Sequence, residues 1–504
     1  MGSFFRLTLA AALLLAACQP REPSSNRHAV TGRGGELRVL IPGDPRSFDP
    51  NDLGDEIAQT LAPSLYSTLV TLDAEGRFLP DLAASWEVTD GGRTYTFHLR
   101  KGVVWHDRRP FASKDVRFTL ERLRDQPSVS HEAVRRIARI ETPDDLTVVL
   151  RLREPWAPFL STLAWGGTYI LPRHVAQQEK PIGTGPFRFA TRVPGERIVL
   201  EASRRFHRPG PFLDRVVFLV APDSSQAAER LARGEADYTI TRIPLLQLPR
   251  LERSPGLRVV TVPSSGRIFC AFNLRRRPLG DVRVREAINR AIDRGDLVRR
   301  ALHGYGAPGI GFYTPSVAWA YNGDAHAPPL DRERARALLA EAGPRRELEL
   351  VIPALAPIDE ISRVLREQLA EVGLEVRVTT LPFQAWIDRV VRNRDFDLTI
   401  MSGTHGPDPE NLSFRFNSRT ANPNLGYANS ELDAALEAGA AAMDLQERAR
   451  SYHRAQEILA RDLPIAPLAE AVHVSVSRRN VRGLPHTEGR GLVAIQDFSL
   501  VRVR

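Results

Sequence analysis

Cysteine, lysine and long apolar runs are all scarce in this chain. Only two of its 504 residues are cysteine, Cys18 and Cys270. Beyond Cys18 a single thiol remains, which excludes an internal disulfide downstream of that position even in an oxidising compartment. Cys270 lies in the apolar run Ile268-Phe269-Cys270-Ala271-Phe272, which predicts a buried strand and a core thiol rather than a nucleophile. Lysine occurs three times, at Lys101, Lys114 and Lys180, so the net charge of +9 is almost wholly arginine. Arginine suits nucleic acid. Here, however, it is scattered among acids, with no compact basic tract and no basic-aromatic RNA-binding motif, so nucleic acid is not an expected partner. After the first eighteen residues no apolar stretch approaches the length of a membrane span.

Catalytic signatures are lacking too. There is no Gly-x-Ser-x-Gly elbow and no phosphate loop ending in Gly-Lys-Ser/Thr. His131-Glu132 opens like a zinc-protease motif, but Arg135 stands where its second histidine belongs. His106-Asp107 could bind a metal, and reads more simply as a polar turn after Trp105. Asp44 and Asp49 each sit beside a proline, where aspartate starts turns. No cofactor and no metal site are expected. A large chain with these absences reads as one that binds something rather than transforms it; an exported hydrolase would need a nucleophile or metal cluster that no motif supplies.

What is present begins at the N-terminus. Arg6, the apolar run Leu7 to Leu15 and the small residues Ala16-Ala17 before Cys18 have the layout of a secretory signal. Cys18 resembles the lipidated cysteine of bacterial lipoproteins, whose acyl chains hold a protein at a membrane surface. An ordinary signal with a chance cysteine is the alternative. Residues 1–17 are thus expected to be a signal peptide, and 18–34, rich in Pro, Ser, Arg and Gly, a flexible tether.

The length predicts two or three domains. Strands are predicted at Leu37 to Ile41, Tyr95 to Arg100, Leu146 to Leu152, Ile198 to Leu200, Val216 to Val220 and Asp237 to Ile240. Helices are predicted at Ala58 to Val70, at Asp115 to Leu123 with Ser113 as cap, and over 225–233 with Gly234 closing it. Val282 to Ile292 and Asp331 to Ala342 read as helices. Strand 348–352, helix 359–372, strand 374–380, helix 383–393 and strand 396–401 follow in alternation, which argues for a largely parallel α/β sheet. A helix over 445–461, a strand from Val472 to Val476 and a strand region at 492–503 complete the chain.

Several blocks then resemble one family. They are Leu65-Tyr66-Ser67-Thr68-Leu69-Val70, Leu79-Pro80-Asp81-Leu82-Ala83 with Ser85-Trp86-Glu87, and the run from Tyr95 through Trp105-His106-Asp107 to Pro110-Phe111-Ala112-Ser113-Lys114-Asp115-Val116. Gly183-Thr184-Gly185-Pro186-Phe187, Asp281 to Asn289, Asp408-Pro409-Glu410-Asn411, Gly426-Tyr427-Ala428-Asn429 and Pro464-Ile465-Ala466-Pro467 extend the likeness. From about residue 36 to 485 the chain resembles the peptide/nickel-type extracellular solute-binding proteins of ABC importers, family 5.

The resemblance implies an α/β, periplasmic-binding-protein-like two-lobed fold of type II with an extra mixed domain and hinge strands between the lobes. Lobe I would comprise 35–57, 170–266 and 478–504, extra domain II 58–169 and lobe III 267–477. The implied function is capture of a peptide or other small solute in the inter-lobe cleft and delivery to ABC permease subunits with cytoplasmic ATPases. The protein would be an exported monomer, held to a membrane through Cys18. A lipoprotein of the same fold used for sensing or protein interaction is the alternative. Candidate ligand contacts are Ser47, Phe48, Tyr66, Trp165, Arg267, Ile268, Phe269, Trp386, His405 and Asp408. In peptide-binding members an aspartate before the Asp-Pro-x-Asn segment meets the ligand's ammonium group. Here that position reads as His405, which favours a neutral or anionic ligand, or else is a plain loop histidine.

Overall fold

The computed structural model describes residues 33–503 except 52–54, 74–75, 127–129, 165–166, 176–179, 344–346, 405, 407, 420–424 and 485–496. The expected signal, Cys18 and nearly all of the tether lie outside these residues, as do Trp165 and His405.

One sheet of eleven strands organises the molecule. From one edge its order is Glu375–Leu381, Glu347–Pro353, Leu398–Thr404, Leu257–Phe272, Ile465–Arg478, Tyr238–Thr239, Glu36–Ile41, Arg215–Val220, Arg197–Ala202 and Phe187–Val193, with Ala307–Pro308 added against Ile465–Arg478. Pairing is parallel within the first three strands and within the group Tyr238–Thr239, Glu36–Ile41 and Arg215–Val220. The middle is antiparallel, so the sheet is mixed rather than largely parallel. The physical reason is that Leu257–Phe272 and Ile465–Arg478 carry the chain across the sheet once in each direction. Where the sequence reads short strands at 268–272 and 472–476, the chain extends for sixteen and fourteen residues.

A separate four-stranded antiparallel sheet runs in the order Ala83–Thr89, Thr94–Leu99, Thr147–Leu152, Ile137–Asp144. Its core draws on Leu69 to Ile170, including Tyr95, Phe97, Trp105 and Phe159. A second core gathers Leu37, Val39, Ile41, Leu61, Leu65 and Phe218 with Phe498. On the other half of the large sheet, Ile268, Cys270 and Phe272 face one core, while Phe269 and Ala271 face another with Phe312, Tyr313 and Tyr452. Cys270 is fully buried, and burial pushes its thiol pKa far up.

Local chemistry explains the helices. The Asp281 side chain accepts the Arg283 N–H at 2.9 Å and starts helix Val282–Ala291, whose Val284, Ala287, Ile288 and Ala291 are buried. Gly234 closes Ser224–Arg233 at φ 77°. Helix Ser113–Asp125 is capped differently from the expectation. Asp115 reaches back to the Ala112 N–H at 3.0 Å, while the Ser113 hydroxyl donates to the Asp144 carbonyl. Ser113 is itself the first helical residue, so its hydroxyl is not placed to cap. The first helix, Glu56–Leu65, ends before the expected limit at Val70, which belongs to a strand. Helix 383–393 is α-helical over Phe383–Trp386 and π-helical over Ile387–Arg392. Near the C-terminus the described strand residues after Arg482 are Arg502–Val503.

Candidate functional site

The two halves of the large sheet meet along the paired strands Leu257–Phe272 and Ile465–Arg478. Their register shifts twice, between Ile268 and Phe269 and, more widely, between Pro263 and Arg267. Pro263 pairs with Val472 and Arg267 with Glu470, so the first strand spends two more residues than its partner over this interval. Such a bulge bends a strand and raises its twist. The bulged segment is polar, Ser264-Ser265-Gly266. The Ser264 hydroxyl donates to the Ala471 carbonyl at 2.8 Å and accepts the Gly266 N–H at 3.0 Å. The Ser316 hydroxyl donates to the Ser264 carbonyl at 2.8 Å.

Just past the bulge the strand presents charge to the interior. Arg267 is 3% exposed; its Nε donates to Glu470 Oε1 at 3.1 Å and its Nη2 to the Gly311 carbonyl. Burial raises the Glu470 pKa, against the pull of Arg267. Two residues on, the Phe269 ring lies 4.5 Å beneath the Arg415 guanidinium. Arg415 comes from the short helix Asn411–Phe416, and burial, together with the nearby Arg267 charge, lowers its pKa to about 10. Gly403, paired with Arg267 across the sheet, borders the same guanidinium: a Cβ there would stand 4.0 Å from Arg415 Nη2.

Strand Leu398–Thr404 leads into the segment that carries Asp408-Pro409-Glu410-Asn411. Both carboxylate oxygens of Asp408 accept from Arg448 Nη2, and Ser161, from helix Phe159–Ala164, lies 3.4 Å from Oδ2. The Glu410 N–H donates to Asp408 Oδ1 at 3.1 Å. Burial, and then the Asp408 charge, push the Glu410 carboxyl up to about 7.

The other candidates sit elsewhere. The Ser47 N–H donates to Asp55 Oδ2 at 3.3 Å, and Asp55 Oδ1 also caps helix Glu56–Leu65. Phe48 is buried, edge-on to Phe189 at 5.2 Å, and its carbonyl accepts the Tyr66 hydroxyl at 2.8 Å. Burial raises the Tyr66 pKa well above its usual value. Trp386 is buried and donates Nε1–H to Thr399 Oγ1 at 3.0 Å. Arg267 and Phe269 therefore share one face, and Asp408 lies near them through Tyr313, whose ionisation feels Asp408, Arg267 and Arg448 together. Ile268 faces the opposite core, while Phe48 and Tyr66 belong to the other half of the molecule.

Sequence reasoning missed Arg415, Glu470 and Arg448. Glu470 did carry a signal, as the one acid in the apolar run 465–474. Arg415, set between Phe414 and Phe416, carried a weaker one.

The His106-Asp107 pair forms a turn with structural bonds. His106 Nδ1 accepts the Gly183 N–H at 3.2 Å, its Nε2 donates to the Gly185 carbonyl at 3.0 Å, and Asp107 pairs with His174 at 2.8 Å. Asp44 pairs with Arg192, and Asp49 with Arg122. Among the described residues no group of three or more His, Cys, Asp or Glu side chains could hold a metal, and no helix is long and apolar enough to cross a membrane.

Comparison with known proteins adds the remaining evidence. Residues 77–424 match the bacterial extracellular solute-binding proteins, family 5 Middle. The chain is 30% identical over 471 residues to the glutathione-binding protein GsiB of Escherichia coli K12, covering 89% of this chain and 91% of that one. It is similar to the ABC transporter-associated periplasmic binding protein DppA from Helicobacter pylori, solved in complex with the peptide STSA. The identity is 27% and the TM-score 0.80, over 94% of this chain and 98% of that one. The ABC transporter substrate-binding protein CtaP from Listeria monocytogenes gives a TM-score of 0.84 at 25% identity, over 94% and 99% of the two chains. The mixed sheet, the paired crossing strands and these matches agree: the chain belongs to the bacterial extracellular solute-binding proteins of family 5, exported binding proteins of the kind that serve ABC importers, and is not an enzyme.

Proposed function

We propose that this protein is the lipid-anchored substrate-binding component of an ABC importer for a peptide or peptide-like solute. The observation that carries the reading is the junction itself: two half-sheets joined by two antiparallel strands, with a polar bulge at 264–266 and charged side chains beside it. Ligands of α/β proteins bind in crevices where such halves meet, and closure about a hinge holds them there. In this reading lobe I comprises 35–57, 170–266 and 478–504, domain II 58–169 and lobe III 267–477, and the bulge is the pivot. Arg267, the backbone of the crossing strands and the 402–411 segment with His405 meet the ligand from one side. Ser47, Tyr66 and Trp165 belong to the opposing wall. Phe48 and Trp386 hold the shape of the two walls, and Asp408 orients its own segment through Arg448. The relatives that bind glutathione and the peptide STSA support a peptide-like ligand. Cys18 carries the lipid, residues 19–34 are the tether, and the monomer hands its cargo to a permease driven by cytoplasmic ATPases.

A thermal-shift screen of the chain from residue 19 tests this, with di- to pentapeptides, glutathione, opines, sugars and nickel complexes. A bound ligand raises the melting temperature by mass action, by an amount set by its concentration relative to Kd. A hit among the peptides or glutathione is expected. Hits confined to the sugars or metal complexes would overturn the peptide assignment, and silence across all classes would overturn the import role.

A further inference from the structure

The arginines held within lobe III differ in one respect. Arg267 pairs with Glu470, and Arg448 with Asp408. Arg285 donates to the carbonyls of Leu279, Gly280, Asp462 and Leu463, and Arg294 to those of Pro467 and Asn289 and to Asn289 Oδ1. Arg415 has no such partner among the described residues. Its Nε is buried without a hydrogen bond, no carboxylate among the described residues lies within ion-pair distance, and its guanidinium sits over the face of Phe269. Arg415 as a whole is half-buried, with its Nε shut off from water; burying part of a guanidinium without a counter-charge is unfavourable, and proteins ordinarily pair it.

We infer that Arg415, stacked on Phe269 and bordered by Gly403, is an anion-recognition subsite that pairs with a carboxylate of the imported solute. Three features support this. A guanidinium lying on an aromatic ring keeps its N–H fork free in its own plane, the geometry that takes a carboxylate in two parallel hydrogen bonds. Gly403, the strand residue beside it, puts no side chain against the guanidinium, since even a Cβ there would stand 4.0 Å from Arg415 Nη2. The charges also count: Glu470 is paired with Arg267, and the charge felt by Arg415 is that of Arg267, so the positive charge of Arg415 is left for the ligand to neutralise. His405 stands two residues from Gly403 in place of the aspartate expected of an ammonium-binding site, and so adds no negative charge at that position. The ligand class is an acidic peptide-like solute, a short peptide or amino-acid conjugate bound through a free carboxylate. This inference rests on the peptide-import reading above.

Calorimetric titration tests it on the chain from residue 19. The probes are reduced glutathione, Ala-Glu and Ala-Ala, each as the free acid and with its carboxylates converted to amides. Wild type is expected to bind at least one free acid on the order of 30-fold more tightly than its amide. R415Q should lose that ratio while binding the amide as wild type does. R415K, which keeps the charge but not the planar fork, should fall between them. Without ligand, R415Q should melt no lower than wild type, because it removes an unpaired, half-buried charge; a substitution that merely damaged the fold would melt lower. Equal affinity for acids and amides in wild type, or an undiminished ratio in R415Q, overturns the subsite and leaves the import reading intact. If no probe binds wild type in either form, the peptide-import reading falls, and this inference with it.

Discussion

Nη2 of Arg448 stands 2.9 Å from both carboxylate oxygens of Asp408, and the two side chains are only 9% and 10% exposed. Arg448 also donates Nε–H to the Gly439 carbonyl at 3.0 Å and lies 5.0 Å above the Trp319 ring. The pair thus fixes the Asp408-Pro409-Glu410-Asn411 segment to helices Ser430–Ala441 and Leu445–Asp462. Removing one partner strands the other charge in the interior. R448M is expected to cost about 3–5 kcal/mol in urea unfolding. The double variant D408L/R448M should recover much of that loss, because neither charge is then left alone.

Gly183 has no room for a side chain. A Cβ there would come within 1.8 Å of the Leu65 carbonyl oxygen, which is backbone and cannot swing aside. G183A should lower stability by at least about 3 kcal/mol or prevent folding. G43A, whose Cβ would meet only Ile57 Cγ1 at 3.8 Å, should stay within about 1 kcal/mol of wild type.

The same connector sets a pH response. His106 uses one ring nitrogen as acceptor and the other as donor, which requires the neutral ring, and burial lowers its pKa to about 4. The unfolded chain therefore takes up a proton before the folded one does. This contribution to stability is complete above about pH 6.5 and is lost as pH falls toward 4, at a slope of up to about 1.4 kcal/mol per unit. H106Q should flatten that limb in urea titrations at pH 7.5, 6 and 5, at lower overall stability.

Glu410 acts in the opposite sense. Its carboxyl titrates near 7, above the ordinary value of 4.5, so the folded state holds the proton longer. Its contribution is complete below pH 4.5 and is lost as pH rises through 7. E410Q, which keeps an acceptor for the Ser413 hydroxyl, should remove the decline between pH 5 and 8 and so exceed wild type most at the alkaline end. Unfolding midpoints of the two proteins across that range measure the difference.

The sequence resemblance was strong because its motifs are structural devices. Asp81 accepts the Thr68 N–H and His207 Nε2 inside the fold. Asp115 caps a helix and also accepts the Arg173 N–H. His106 and Gly183 clasp the connector. Each such need is local and has a chemical solution in one residue type, so the spacing survives as a readable pattern. The end of helix Ser224–Arg233 was legible for the same reason, through Gly234, while Asp281 and Asp444 cap their helices with side chains whose role emerges only in the fold. The bulge at 264–266 was not legible, since it exists only in the register between strands about two hundred residues apart. Arg415 was hidden in a similar way: what distinguishes it is the absence, among the described residues, of a charged partner across space. Phe48 and Trp386 read as cleft aromatics by position, yet their rings lie in cores, as large rings on strands and short helices commonly do.

Cys270 is the free thiol among the described residues, wholly enclosed and held protonated. It is therefore silent toward maleimides while the protein is folded. In the chain from residue 19, a cysteine introduced on the surface of each half would be a unique handle for a fluorophore or spin label. The distance between the two halves, with and without solute, can then be followed in solution without first altering the native chain.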